Sequence, residues 1–135
     1  MRKCKIGIVG LGTVGSGIYK ILSSEVDTHP ILKEIEIVKI AVKDLNKKRD
    51  IKIDNNLLTD DPFKLISDPS IDVIVEVMGG VDLARDIILQ SLKLGKSVVT
   101  ANKAVIARYG EEIYKTASKK EFIYFQRRQF AVGFP

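Results

Sequence analysis

The sequence predicts an α/β fold, a doubly wound, mostly parallel sheet with helices on both faces. Three observations carry that expectation. Short β-branched runs alternate with helical patterns along the chain. Strands separated by helices pair in parallel through crossovers. No internal repeat or low-complexity linker interrupts the alternation, and 135 residues suit one domain. Right-handed crossovers then give an open sheet whose ligands lie at the carboxyl ends of its strands.

The elements follow in order. Residues 5–9 (KIGIV) are apolar and end in glycines, as a buried parallel strand does. Residues 13–24 form a helical pattern with Val14, Ile18, Ile21 and Leu22 expected on one face. A polar connection follows, broken at Pro30, and residues 35–42 (IEIVKIAV) are the second strand. Residues 43–56 make a charged loop. Residues 60–66 form a short helix with Asp60 or Asp61 as cap and Pro62 in its first turn. The third strand is 72–77, ended by Gly79-Gly80. A helix over 84–94 stops at Gly95, and 97–100 (SVVT) is the fourth strand. A helix over 104–119, weakened at Gly110, leads to a fifth strand at 121–125. The loops to examine are those after Val9, Val42, Val77 and Thr100.

The net charge of +5 suits a phosphate-bearing ligand. It does not point to nucleic acid, because the lysines are spread out and the dense runs are only Lys47-Lys48-Arg49 and Arg127-Arg128. The one cysteine, Cys4, excludes an internal disulfide and reads as a small buried hydrophobe in a strand. A reducing cytoplasm is the expected compartment. No leader and no membrane span is expected. His29 precedes Pro30 in a loop and should be solvated, and no Cys/His cluster suggests a metal.

Gly10-Leu11-Gly12-Thr13-Val14-Gly15 matches G-x-G-x-x-G between a strand and a helix. Gly10 makes the tight turn, Gly12 lets backbone approach a pyrophosphate, and Gly15 packs the helix against the sheet. The N–H groups of Gly12 to Val14 open the helix, where partial positive charge attracts phosphate. A Walker A loop is excluded, since no Gly-Lys-Ser/Thr ends the run. The motif points to a Rossmann-type domain and a nicotinamide dinucleotide.

The choice between NAD and NADP falls to the end of the second strand. Glu34 and Glu36 lie at its start, away from the cofactor edge. Its end, Val42-Lys43-Asp44, offers one residue of each sign. Lys43, with Lys47, Lys48 and Arg49 nearby, leans toward NADP, and use of both remains open.

GLGTVG after the first strand, AVKD at the second, DVIVEVMGG at the third and GKSVVTANKAVIARYG at the fourth together resemble homoserine dehydrogenase. The asparagine–lysine pair after the VVTA strand is the most specific of these. The resemblance implies an oxidoreductase that interconverts aspartate semialdehyde and homoserine with NAD(P)H. It implies that Gly10, Gly12, Thr13, Val14 and Gly15 hold the pyrophosphate and that Lys43 lies by the adenosine ribose. Gly79 and Gly80 would line the nicotinamide side, with Thr100 and Asn102 also at the cofactor. Lys103 would be catalytic, approaching the substrate oxygen to polarise or protonate it.

The family continues into a second domain for substrate binding and dimerisation, about where this chain stops at Pro135. Its joining segment carries an aromatic, Glu-Ala and a glycine-rich run, whereas this chain reads Phe125-Gln126-Arg127-Arg128-Gln129-Phe130-Ala131-Val132-Gly133-Phe134-Pro135. The expectation is a dinucleotide-binding domain over 1–126, with 127–135 an altered or truncated start of the segment leading to a catalytic domain. Three arrangements stay open. The chain is a homoserine dehydrogenase or its cofactor-binding fragment, a stand-alone dinucleotide-binding module without catalysis, or a part whose missing half another chain supplies; association as a homo-oligomer is open as well.

Overall fold

The computed structural model describes residues 2–24, 29–119, 122–124 and 132–134. β1 (Cys4–Val9) runs into α1 (Thr13–Ser23), and β2 (Ile35–Ala41) follows. A short β3 (Leu58–Thr59) precedes α2 (Pro62–Ile66) and β4 (Val73–Glu76). Then come α3 (Asp82–Lys93), β5 (Ser97–Thr100), α4 (Lys103–Thr116), β6 (Phe122–Tyr124) and β7 (Val132–Phe134). These strands form one sheet in the order β3-β2-β1-β4-β5-β6-β7. All neighbours are parallel except β6 and β7, which are antiparallel. The order reverses between β1 and β4, and a crevice opens where strand order reverses.

Alternation along the strands sorts the core into two faces. Val9, Ala41, Ile74, Val98 and Phe122 pack with α2, α3 and α4. Ile6, Ile8, Ile40 and Val42 pack on the other face with Ile18, Tyr19 and Leu22 of α1. Ile8, Ile40, Ile74 and Val98 are fully buried, which is why these strands read as continuous apolar runs. Each such side chain contributes about 1.5–3 kcal/mol of burial.

The expected helices and strands form, with corrections. Val14 and Ile21 do not face the core, being 52% and 56% exposed. Ile18 and Leu22 face inward as expected, joined by Leu11, Gly15 and Tyr19, because Gly15 must lie against the first turn for α1 to meet the sheet. Cys4 is exposed, not buried, since it opens β1 at the end remote from the crevice. Leu58–Thr59 forms a short strand that the sequence does not predict, and Val132–Phe134 adds an antiparallel one. α3 begins at Asp82 rather than residue 84, and α4 gives way to a 3₁₀ turn at Ala117–Lys119. His29 is exposed as expected, and its Nδ1 accepts from the Ile31 N–H, capping a 3₁₀ turn. The joining segment at 125–131 and residue 135 lie outside the described residues.

Candidate functional site

The chain leaves β1 through Gly10, whose φ of +110° suits glycine. Two backbone bonds fix this turn, from Gly10 N–H to the Ala41 carbonyl and from Val77 N–H to the Val9 carbonyl, both 2.9 Å. A Cβ on Gly10 would lie 2.8 Å from the Met78 nitrogen, and one on Gly15 would meet the Gly10 carbonyl oxygen. The glycines therefore let α1 start directly above the sheet.

The helix start is open. Gly12 has no side chain to cap it, and no acidic residue lies in its first turn. By contrast, Asp61 caps α2 and Asn102 caps α4 with side-chain oxygens. A Cβ on Gly12 would have no neighbour within 4 Å. The first-turn N–H groups thus face a crevice of about 380 Å³ at the ends of β1, β2 and β4. Free N–H groups, a helix dipole and a bare Gly12 suit a pyrophosphate.

Gly10, Gly12, Lys43 and Gly79 all line this crevice. Thr13 and Val14 are exposed in the first turn of α1, and Gly15 is buried beneath them. Lys47 and Arg49 join Lys43 in the wall, as do Asp44 and Asp60. Their loop ties itself together. Arg49 Nη2 donates to the Asp44 carbonyl at 2.6 Å, Arg49 Nη1 to the Lys47 carbonyl at 3.1 Å, and the Asn46 N–H to Asp44 Oδ1 at 2.8 Å.

The other expected residues form a second group at the ends of β4 and β5. Gly80 has φ +94°, and its carbonyl accepts from Asn102 Nδ2 at 2.7 Å. Thr100 is buried, and the Asn102 N–H donates to its Oγ1 at 3.0 Å. Asn102 Oδ1 accepts from the Val105 N–H at 3.1 Å, so much of its hydrogen-bonding capacity is spent within the protein. Lys103 is exposed at the first position of α4 and is not part of the crevice wall.

Sequence reasoning missed two features. Asp60, Pro62 and Leu83 reach the crevice because β3 and the start of α3 lie beside it. Glu76 carries no sequence signal beyond its place in the third strand, yet it is fully buried. Burial pushes its carboxyl above the usual carboxylate range, against hydrogen bonds from Thr100, Met78 and Asn102 that favour the charged form. That place, an acid alone in VIVEV, is the available signal.

A parallel sheet with an uncapped glycine turn at its switch point defines a dinucleotide-binding domain. The chain belongs to a specific family of such domains, the homoserine dehydrogenase NAD-binding domain, whose model matches residues 10–126. It is 48% identical over 115 residues to a homoserine dehydrogenase of Synechocystis sp., covering 85% of this chain and 27% of that protein. Against the Bacillus subtilis homoserine dehydrogenase the identity is 37%, covering 100% of this chain and 32% of the relative. The crystal structure of a homoserine dehydrogenase from Thiobacillus denitrificans superposes with a TM-score of 0.74 at 38% identity, covering 86% of this chain and 27% of that one. The chain thus spans roughly a third of these relatives' length, and its ligand is a nicotinamide dinucleotide. No helix among the described residues is long and apolar enough to cross a membrane.

Proposed function

We propose that this chain is the cofactor-binding part of a homoserine dehydrogenase, interconverting aspartate semialdehyde and homoserine in threonine and methionine biosynthesis. The observation that carries this reading is the bare first turn of α1, with Gly12 facing open space over the crevice. Gly10, Gly12, Thr13, Val14 and Gly15 hold the pyrophosphate. Lys43, supported by Lys47 and Arg49, lies by the adenosine ribose and favours a 2′-phosphate. Gly79, Gly80, Thr100 and Asn102 shape the nicotinamide side. When bound, the nicotinamide supplies or accepts the hydride. Lys103 brings an ammonium to the substrate oxygen, where negative charge develops.

In this reading residues 1–126 are the dinucleotide-binding domain, and 127–135 lead toward the substrate-binding part that the relatives' remaining length supplies. The 135 residues alone then bind cofactor without turnover. Hydride transfer needs substrate held within about 3–3.5 Å of the nicotinamide, and losing that orientation costs roughly 7–11 kcal/mol. The test uses the purified chain. Calorimetry with NADH and NADPH should show binding, while nicotinamide absorbance with homoserine present should stay flat. Absence of binding overturns the cofactor site. Steady turnover lost on Lys103→Ala would show that these residues form a complete enzyme.

A further inference from the structure

Glu76 ends β4 with no solvent exposure. A carboxyl there must be hydrogen-bonded or pay a large desolvation cost. The Thr100 hydroxyl donates to Oε1 at 2.7 Å and the Met78 N–H donates to Oε2 at 3.0 Å. The Asn102 side chain adds a further hydrogen bond. No cation among the described residues forms an ion pair with Glu76. The bonds continue from Asn102 N–H to Thr100 Oγ1, and from Asn102 Nδ2 to the Gly80 carbonyl. One buried acid therefore joins the loop after β4 to the loop after β5.

The position of this network matters. Strand order reverses between β1 and β4, and the dinucleotide straddles that reversal. Lys43 marks the adenosine side at the end of β2, so the nicotinamide half belongs over the ends of β4 and β5. We infer that Glu76 is a positioning residue for the nicotinamide half of the site, acting through Met78, Thr100 and Asn102 rather than by touching cofactor. The inference rests on the cofactor reading above. An apolar residue would fill the same space in the sheet but leave the Met78 N–H and the Thr100 hydroxyl without their acceptor.

The test separates the two halves of the ligand. ADP-ribose carries the adenosine and pyrophosphate of NADH but no nicotinamide. Affinities for both are measured by calorimetry on the full chain and its variants Glu76→Gln, Glu76→Leu and Thr100→Val. Glu76→Leu and Thr100→Val should each weaken NADH about tenfold and ADP-ribose less than about twofold. Glu76→Gln keeps an acceptor for the Met78 N–H and a polar contact to Thr100, so its NADH affinity should stay within about threefold. Equal losses for both ligands would mean that Glu76 supports the fold alone, and would overturn the inference. So would a Gln variant as weak as the Leu variant. Should Glu76→Leu fail to fold, Thr100→Val carries the same comparison. A native chain that binds neither ligand overturns the cofactor reading and this inference with it, whereas native binding with no split between ligands overturns the inference alone.

Discussion

Gly15 lies so close to the Gly10 carbonyl oxygen that a Cβ on Gly15 would collide with it. Neither partner can retreat. Gly10 is held by the Ala41 carbonyl, and the Met78 backbone leaves no room for even a Cβ beside it. Gly15→Ala gains up to about 1 kcal/mol in helix propensity. Overpacking against fixed backbone costs about 1–3 kcal/mol. The variant should therefore be destabilised by roughly 1–2 kcal/mol in urea denaturation. A neutral or stabilising result would show that the turn can yield.

Gly12, three residues earlier, behaves oppositely. Its φ is −80°, and a Cβ there meets no protein atom within 4 Å. Gly12→Val should fold with nearly native stability, since nothing in the protein is displaced. The new side chain would occupy the space where a pyrophosphate meets the N–H groups. Calorimetry should find no binding of NADH or NADPH. Undiminished affinity would remove the pyrophosphate from this turn.

Lys43 tests cofactor choice. Its position in the crevice wall with Lys47 and Arg49 gathers three cations at the end of β2. Lys43→Ala should weaken NADPH more than NADH by about 1–3 kcal/mol, the worth of a charge-assisted hydrogen bond. Added salt should narrow the gap, because the pair is exposed. Equal losses for the two cofactors would return Lys43 to the solvated surface.

Asn102 joins two tasks, capping α4 through the Val105 N–H and tethering the Gly80 carbonyl. Asn102→Ala should lower stability by about 1 kcal/mol through the lost cap alone. Asn102→Ser keeps a cap acceptor but loses the amide donor that reaches Gly80 and Glu76, and adds no charge beside that buried acid. If the tether shapes the cofactor loop, the Ser variant should recover most of the cap's stability in thermal melts yet bind NADH less well than the native chain. Recovery of both properties would confine Asn102 to capping.

Much of this could be read from the sequence because its signals were local. G-x-G-x-x-G, the Asp61-Pro62 helix start and the SVVT strand each occupy a few adjacent residues, and all form where expected. Leu58–Thr59 is too short to show a period of two, so its pairing with Ile40 and Ala41 was invisible. Helical spacing allowed Val14 and Ile21 to face inward as readily as Tyr19, and only the close contact of Gly15 with the turn sets the rotation of α1. The link from Glu76 to Thr100 spans 24 positions between separate strands. No local pattern encodes a contact made by parallel register, and Glu76 acquires its role only when β4 and β5 pair Glu76 with Thr100.

The buried acid also leaves a mark on stability against pH. Burial raises the Glu76 carboxyl above its ordinary value. Below about pH 4 the group is protonated in both folded and unfolded chains and has no effect on the pH slope. As pH rises past the unfolded value, the unfolded chain releases this proton first. The folded state then binds more protons, so stability falls until pH has passed the folded-state value. Two aspartates work the other way. Hydrogen bonds from Ser70 hold Asp68 down, and the Lys5 N–H holds Asp72 down, so their contribution is present above the ordinary aspartate range and lost as pH falls. Glu76→Gln cannot titrate at this position but leaves both aspartates in place. Subtracting its urea-denaturation stability from the native value at each pH isolates Glu76. The difference should be flat below about pH 4, fall as pH rises, and level off again. A difference that rises with pH would mean that the bonds from Thr100 and Met78 outweigh burial and that the folded chain prefers the charged carboxylate.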